Sequence, residues 1–196
     1  LCTAYFRKDE KAATDRHVLH MLILGSIPTA VIGLTFKDFF EGLFENLPVI
    51  GAMLIVTASL LFLASKVRQD GRGEEQINIF DALLVGIAQG AAIIPGISRS
   101  GSTIACLLLR GIDGETAARF SFLLALPAVG GATLLSLRDL QQVNPAELPA
   151  YAIGSLVAFV TGLLAIRFLL AVVRNRRLSG FAVYCLLVGS AIMLYS

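Results

Sequence analysis

Five stretches of the chain are apolar with almost no polar interruption: residues 18–36, 47–65, 116–137, 150–173 and, slightly shorter, 179–195. A bilayer's hydrocarbon core is about 30 Å thick, so a helix that crosses it needs roughly 20 mostly apolar residues. The pattern predicts an all-α polytopic membrane protein with five transmembrane helices. A sixth apolar region is built differently. Residues 79–94 and 98–109 form two runs on either side of the breaker pair Pro95-Gly96. At about 1.5 Å per residue the second run reaches only about 18 Å, too short to cross alone. Residues 79–109 are therefore either one broken span or a re-entrant helical hairpin.

The basic residues separate these two arrangements, because cytoplasmic loops carry the excess of Lys and Arg. With a hairpin, twelve loop Lys and Arg fall on one side and two on the other; with a crossing segment the split is eight to six. The hairpin, dipping in from the cytoplasmic side, is far more polarised. Two of the sixteen basic residues lie outside those loops. Arg167 sits near the cytoplasmic end of its helix, where its stem can carry the charge to the headgroups. Arg99 sits at the hairpin tip and has no such escape.

Composition agrees with the pattern. Of 196 residues 56% are hydrophobic and only 15% charged, with a mean hydropathy of +0.78, which excludes an ordinary cytosolic enzyme. The net charge of +2 is too small to argue for nucleic acid as a partner. Cys2, Cys106 and Cys185 stand singly in or beside apolar runs, as packing residues without metal-ligand spacing. The chain opens on Leu1 and is read as one whose beginning is missing. Within residues 37–46, Phe39, Phe40, Leu43 and Phe44 against Lys37, Asp38, Glu41 and Glu45 predict a short helix in the outer interface. Residues 66–78, with Gly71 and Gly73 among charges, read as a flexible cytoplasmic connection. Arg174, Arg176 and Arg177 set topology and touch anionic headgroups. The whole, residues 1–196, reads as a single membrane domain.

An arginine at membrane depth costs at least about 2.5–3.5 kcal/mol on insertion scales, so it faces a partner or a water-filled cavity. Irregular backbone such as Pro95-Gly96-Ile97 is tolerated there only where it is buried in protein or lines a cavity. Both signals fall on the same residues. Around Arg99 lie the hydroxyls of Ser98, Ser100, Ser102 and Thr103 and the flexible Gly96 and Gly101. The second half-helix begins here, and its free N–H groups and positive dipole end make an anion site to which Arg99 adds bidentate recognition. The inferred ligand is a phosphate carried on a lipid. The competing reading is packing: Ser and Thr fit between membrane helices, Gly86 and Gly90 form a contact face, and Gln89 serves as interhelical glue. The clustering of four hydroxyls with the deep arginine favours the site. His17 and His20, beside Asp15 and Arg16, mark an interfacial helix start and not a catalytic pair.

These residues also carry a resemblance. Residues 86–104, running through Pro95-Gly96-Ile97-Ser98-Arg99-Ser100-Gly101-Ser102-Thr103, closely resemble the second signature of the bacterial undecaprenyl-diphosphate phosphatases, the bacitracin-resistance family. Residues 117–127 and 25–33 are similar to further stretches of it. The resemblance implies hydrolysis of a C55 isoprenoid diphosphate to the monophosphate, recycling the cell-wall lipid carrier in the bacterial plasma membrane. It implies catalytic roles for Arg99, Ser98 and Thr103, with Ser100, Gly101, Ser102, Gln89 and Gly96 binding substrate. It further implies an inverted-repeat bundle of two hairpins, and a divalent cation, Mg or Ca, whose ligands are not in this chain.

The family's first signature, two glutamates four apart followed by a histidine, has no counterpart here. Deep carboxylates are absent, so the chain is expected to be an incomplete catalyst lacking an N-terminal portion. Three functional classes follow: a phosphatase for a polyprenyl diphosphate lipid, a transporter or flippase for polyprenyl phosphate, and a non-catalytic lipid-phosphate-binding bundle. A homodimer is left open.

Overall fold

A computed structural model describes residues 2–67, 71–136, 148–174 and 178–195. In chain order the helices are α1 (Cys2–Thr35), α2 (Lys37–Leu43), α3 (Leu47–Ser65), a 3-10 turn (Glu74–Gln76), α4 (Ile79–Ala91), α5 (Arg99–Leu109), α6 (Gly114–Ser136), α7 (Leu148–Arg174) and α8 (Leu178–Tyr195). Five of them hold segments long and apolar enough to cross a membrane: Ala12–Thr35, Leu47–Ser65, Gly114–Leu134, Leu148–Arg174 and Leu178–Tyr195. The fold is that of an all-helical, multi-pass membrane protein. The first helix starts well before residue 18, because the charged stretch preceding it consists of good helix formers that continue α1 beyond its apolar part. Leu137, where the third span was expected to end, lies outside the described residues, as do Arg68, Arg176 and Arg177.

Close backbone crossings of small residues hold the bundle together. A Cβ on Gly86 of α4 would run into the carbonyl of Gly25 on α1, and one on Gly90 would meet the Ile32 side chain at 2.7 Å. The Gly86/Gly90 face is therefore a contact face, and its partner is α1. Thr29 Oγ1 donates across the crossing to the Gly86 carbonyl at 2.9 Å. On the far side α3 and α8 cross in the same way, with a Gly189 Cβ falling 2.7 Å from the Gly51 carbonyl oxygen. Most of α7 turns apolar side chains such as Leu156, Phe159 and Leu164 outward, as a lipid-facing helix does. α2 carries the expected aromatic cluster: Phe40 is buried, with the Phe36 and Phe39 rings 6.2 Å and 5.8 Å from it.

α4 and α5 form a hairpin whose two ends are fastened to each other. Arg72, before α4, and Ile112, after α5, form a parallel bridge, with Arg72 N–H on the Gly111 carbonyl (2.9 Å) and Asp113 N–H on the Arg72 carbonyl (3.0 Å). The chain thus leaves α5 where it entered α4. Asp81, fully buried, accepts from Arg110 Nε at 2.8 Å and pairs with Arg72 at 3.0 Å. It also closes a reciprocal cap with Asn78 at the start of α4. His17 Nε2 donates to the Ile77 carbonyl at 2.7 Å, tying α1 to the same base. The expectation of a flexible connection here is corrected over residues 71–78. Its charges close on Asp81 and, through Glu74, on Arg119 (2.6 Å), and so order the backbone.

Candidate functional site at the hairpin tip

The turn between α4 and α5 is shaped by backbone demands at one glycine and one hydroxyl. Gly96 has φ +94°, in the left-handed region, and a Cβ there would overlap the Ile50 carbonyl of α3. Thr57 of α3, fully buried, pins the turn from both sides. Its Oγ1 donates to the Gly96 carbonyl and accepts from Ser98 N–H, each at 3.1 Å. Ser98 then caps α5: its Oγ accepts from Gly101 N–H at 3.1 Å, and its carbonyl takes Ser102 N–H at 2.8 Å. Gly101 is required by that cap, since its Cβ would stand 2.9 Å from Ser98 Oγ. The remaining first-turn donors, Arg99 and Ser100 N–H, have no partner within a helix. Together with the positive dipole end they make the tip a donor-rich surface of the kind that can receive an anion.

Arg99 is exposed and takes part in no ion pair among the described residues. It lines a cavity of about 740 Å³ whose other walls are Ser26, Thr29 and Gly33 of α1, Gln89 of α4, and Pro127, Ala128 and Gly131 of α6. Gln89 is 1% exposed. Its amide nitrogen donates to the Leu124 carbonyl (3.2 Å) and to Thr29 Oγ1 (3.4 Å), while Oε1 has no partner among the described residues. The amide nitrogen thus serves the glue role, joining α4 to α1 and α6.

The structure brings Arg99 and Gln89 onto one cavity, with Gly96, Ser98, Ser100 and Gly101 building the turn beside it. Ser102 and Thr103 point into protein. Ser102 Oγ is buried without a partner among the described residues, and Thr103 Oγ1 donates to the Arg99 carbonyl at 2.9 Å and meets Ser121 Oγ at 2.5 Å. Thr103 thus holds α5 to α6 one turn behind the tip. Thr57, Thr29 and Ser121 were not singled out from the sequence. Thr57 has no signal beyond a hydroxyl in an apolar span, which packing explains equally well, whereas Thr29 and Ser121 lie within the family-like stretches 25–33 and 117–127. Among the described residues no group of three or more His, Cys, Asp or Glu gathers to hold a metal. The groups at the tip are anion donors and lack the carboxylate oxygens that Mg or Ca takes.

Comparison with known proteins places the chain in a family. Residues 1–191 match the family described as bacitracin resistance protein BacA. The undecaprenyl-diphosphatase of Syntrophotalea carbinolica is 56% identical over 189 residues, covering 96% of this chain and 72% of that protein. The undecaprenyl-diphosphatase of Desulforapulum autotrophicum is 44% identical over 184 residues, covering 94% and 67%. That of Halothermothrix orenii is 41% identical over 192 residues, covering 97% and 72%. With its family match running almost end to end and relatives up to 56% identical, the chain belongs to the bacitracin resistance protein BacA family.

Proposed function

We propose that the protein is a membrane phosphatase that hydrolyses undecaprenyl diphosphate to undecaprenyl phosphate and phosphate, recycling the cell-wall lipid carrier and so conferring bacitracin resistance. Its place is the bacterial plasma membrane. The observation that carries this reading is Arg99: a guanidinium without an ion pair among the described residues, at the N-terminus of α5, on a cavity with an apolar wall. Phosphoryl transfer asks the protein chiefly for positioning and charge stabilisation. In this reading Arg99 and the Arg99 and Ser100 N–H groups hold the diphosphate, and Ser98 and Ser100 hydroxyls donate to its oxygens. Gly96 and Gly101 let the backbone approach, while Thr103 fixes the turn that carries Arg99. Water attacks the terminal phosphorus, the bond to the bridging oxygen breaks, and the charge gathering on that oxygen falls on these donors. The described residues offer no ligand set for a divalent cation, so in this proposal Mg or Ca takes its carboxylates from elsewhere.

The test is phosphate release from a polyprenyl diphosphate, measured on this chain and on a full-length relative carrying the same arginine. Release that Arg99→Ala lowers about 10²–10³-fold, the loss expected for one transition-state donor, supports the reading. Release by neither protein sinks it, and lipid movement across vesicles without hydrolysis would replace it with transport.

A further inference from the structure

The cavity beside Arg99 has two unlike walls. One, from α1 and α4, carries Ser26, Thr29 and Gln89; the other, from α6, carries Pro127, Ala128 and Gly131. Gln89 gives the cavity a polar atom that no described residue answers. The Leu124 carbonyl can only accept, so the atom facing it must be the amide nitrogen, and the amide is locked with Oε1 as its free end. That oxygen is a buried acceptor with no donor among the described residues, a state that costs free energy unless an O–H or N–H is supplied to it. The α6 wall shows the complementary feature. A Cβ added at Gly131 would meet nothing within 4 Å, so the space is open. A volume of about 740 Å³ falls in the range of small-molecule pockets, roughly 300–1,000 Å³.

We infer that this cleft between α1 and α6 seats the part of the prenyl chain nearest the diphosphate. The phosphate end lies at Arg99, and the first isoprene units lie along Ala128, Gly131 and Ala132. Gln89 Oε1 accepts a hydrogen bond from a hydroxyl at the phosphate end, either a protonated phosphate oxygen or a water bound to it. Charge at one end and small apolar residues along the other match a molecule with an anionic head and a methyl-branched tail. Gly131 then determines specificity, because its missing side chain leaves room for that tail. The inference rests on the phosphatase reading for its ligand.

The experiment fills the groove. Gly131→Leu adds bulk into open space, and Gly154→Leu on α7, also with nothing within 4 Å of its Cβ, is the control. With a long polyprenyl diphosphate, Gly131→Leu is expected to raise KM about tenfold, the loss of roughly two buried methylenes. The same variant should leave hydrolysis of methyl diphosphate within about twofold, because that ligand has a diphosphate but no isoprene unit to meet the groove. Equal losses on both substrates, or no loss on either, overturn the proposal. A polyprenyl diphosphate with a photoreactive group in its first isoprene units gives a readout independent of turnover. Labelling on α6 around Gly131 supports the seat, and labelling confined to α7 or α8 overturns it. Absence of phosphate release from the wild type would sink the phosphatase reading while the labelling still decides the cleft.

Discussion

Asp81 and Arg110 meet at 2.8 Å across 29 residues of chain, at the point where the hairpin begins and ends. Asp81 is fully buried and Arg110 is only partly so, its guanidinium 5.0 Å from the Phe80 ring centroid. The contact fixes the separation of α4 and α5 at their base, and so the position of the tip they carry. Asp81→Asn keeps the shape and removes the charge. It should lower stability by about 1–3 kcal/mol, less than for a fully buried pair because both arginines retain access to water. Thermal unfolding in detergent measures it.

The same carboxylate sets a pH dependence. Burial alone raises the Asp81 pKa, but hydrogen bonds from Arg72 and Arg110 more than reverse this and bring it below its ordinary value of 3.8. A lowered folded-state pKa contributes stability that is present above the ordinary value and lost as pH falls through the folded one. The advantage of wild type over Asp81→Asn should therefore be constant from neutral down to about pH 5 and shrink below about pH 4. An advantage that shrank near pH 7 would point to another group.

Gly86→Ala should separate α1 from α4, since its methyl would occupy the place of the Gly25 carbonyl. Rigid backbone has no rotamer with which to yield, so a cost at or above the usual overpacking range of about 1–3 kcal/mol is expected. Gly154→Ala, on an open face of α7, should be neutral or stabilising by up to about 1 kcal/mol through helix propensity. Similar midpoints for the two variants would show that the crossing is looser than described.

Thr57→Val removes both hydrogen bonds that pin the tip and changes the volume little. It leaves the Gly96 carbonyl and Ser98 N–H short of a partner, at about 1–3 kcal/mol. Because the turn carries Arg99, phosphate release should fall as well, and Thr57→Ser should restore both properties.

Arg99→Lys keeps the charge but loses the planar fork. Turnover should fall by about 10–100-fold, short of the loss expected for Arg99→Ala. Its thermal midpoint should correspond to a change within about 0.5 kcal/mol, as for a surface residue away from structural features. A large loss of stability would show that Arg99 is a structural residue.

Hydropathy and the loop charges made the helices and the hairpin legible, and one misplaced arginine with its glycines and hydroxyls marked the tip. These are local properties: span length, charge placement and turn chemistry are written in consecutive residues. The partners of the tip were not legible. Thr57 lies 41 residues from the backbone N–H it accepts from, and Gln89 lies 35 from the carbonyl it donates to. Thr103 stood in the motif as a ligand group until α6 placed Ser121 against it.

By itself the sequence determined that this is a multi-pass helical membrane protein with a broken apolar segment that carries Arg99 at its turn. That much follows from burial of apolar spans and from the cost of placing charge in lipid. Only the tertiary structure decided which hydroxyls pack helices, that Asp81 locks the hairpin base, and that Gln89 keeps an acceptor without a donor among the described residues. Each of those depends on which backbones approach one another, and close approach is set by glycine crossings between helices distant in sequence, such as Gly25 with Gly86.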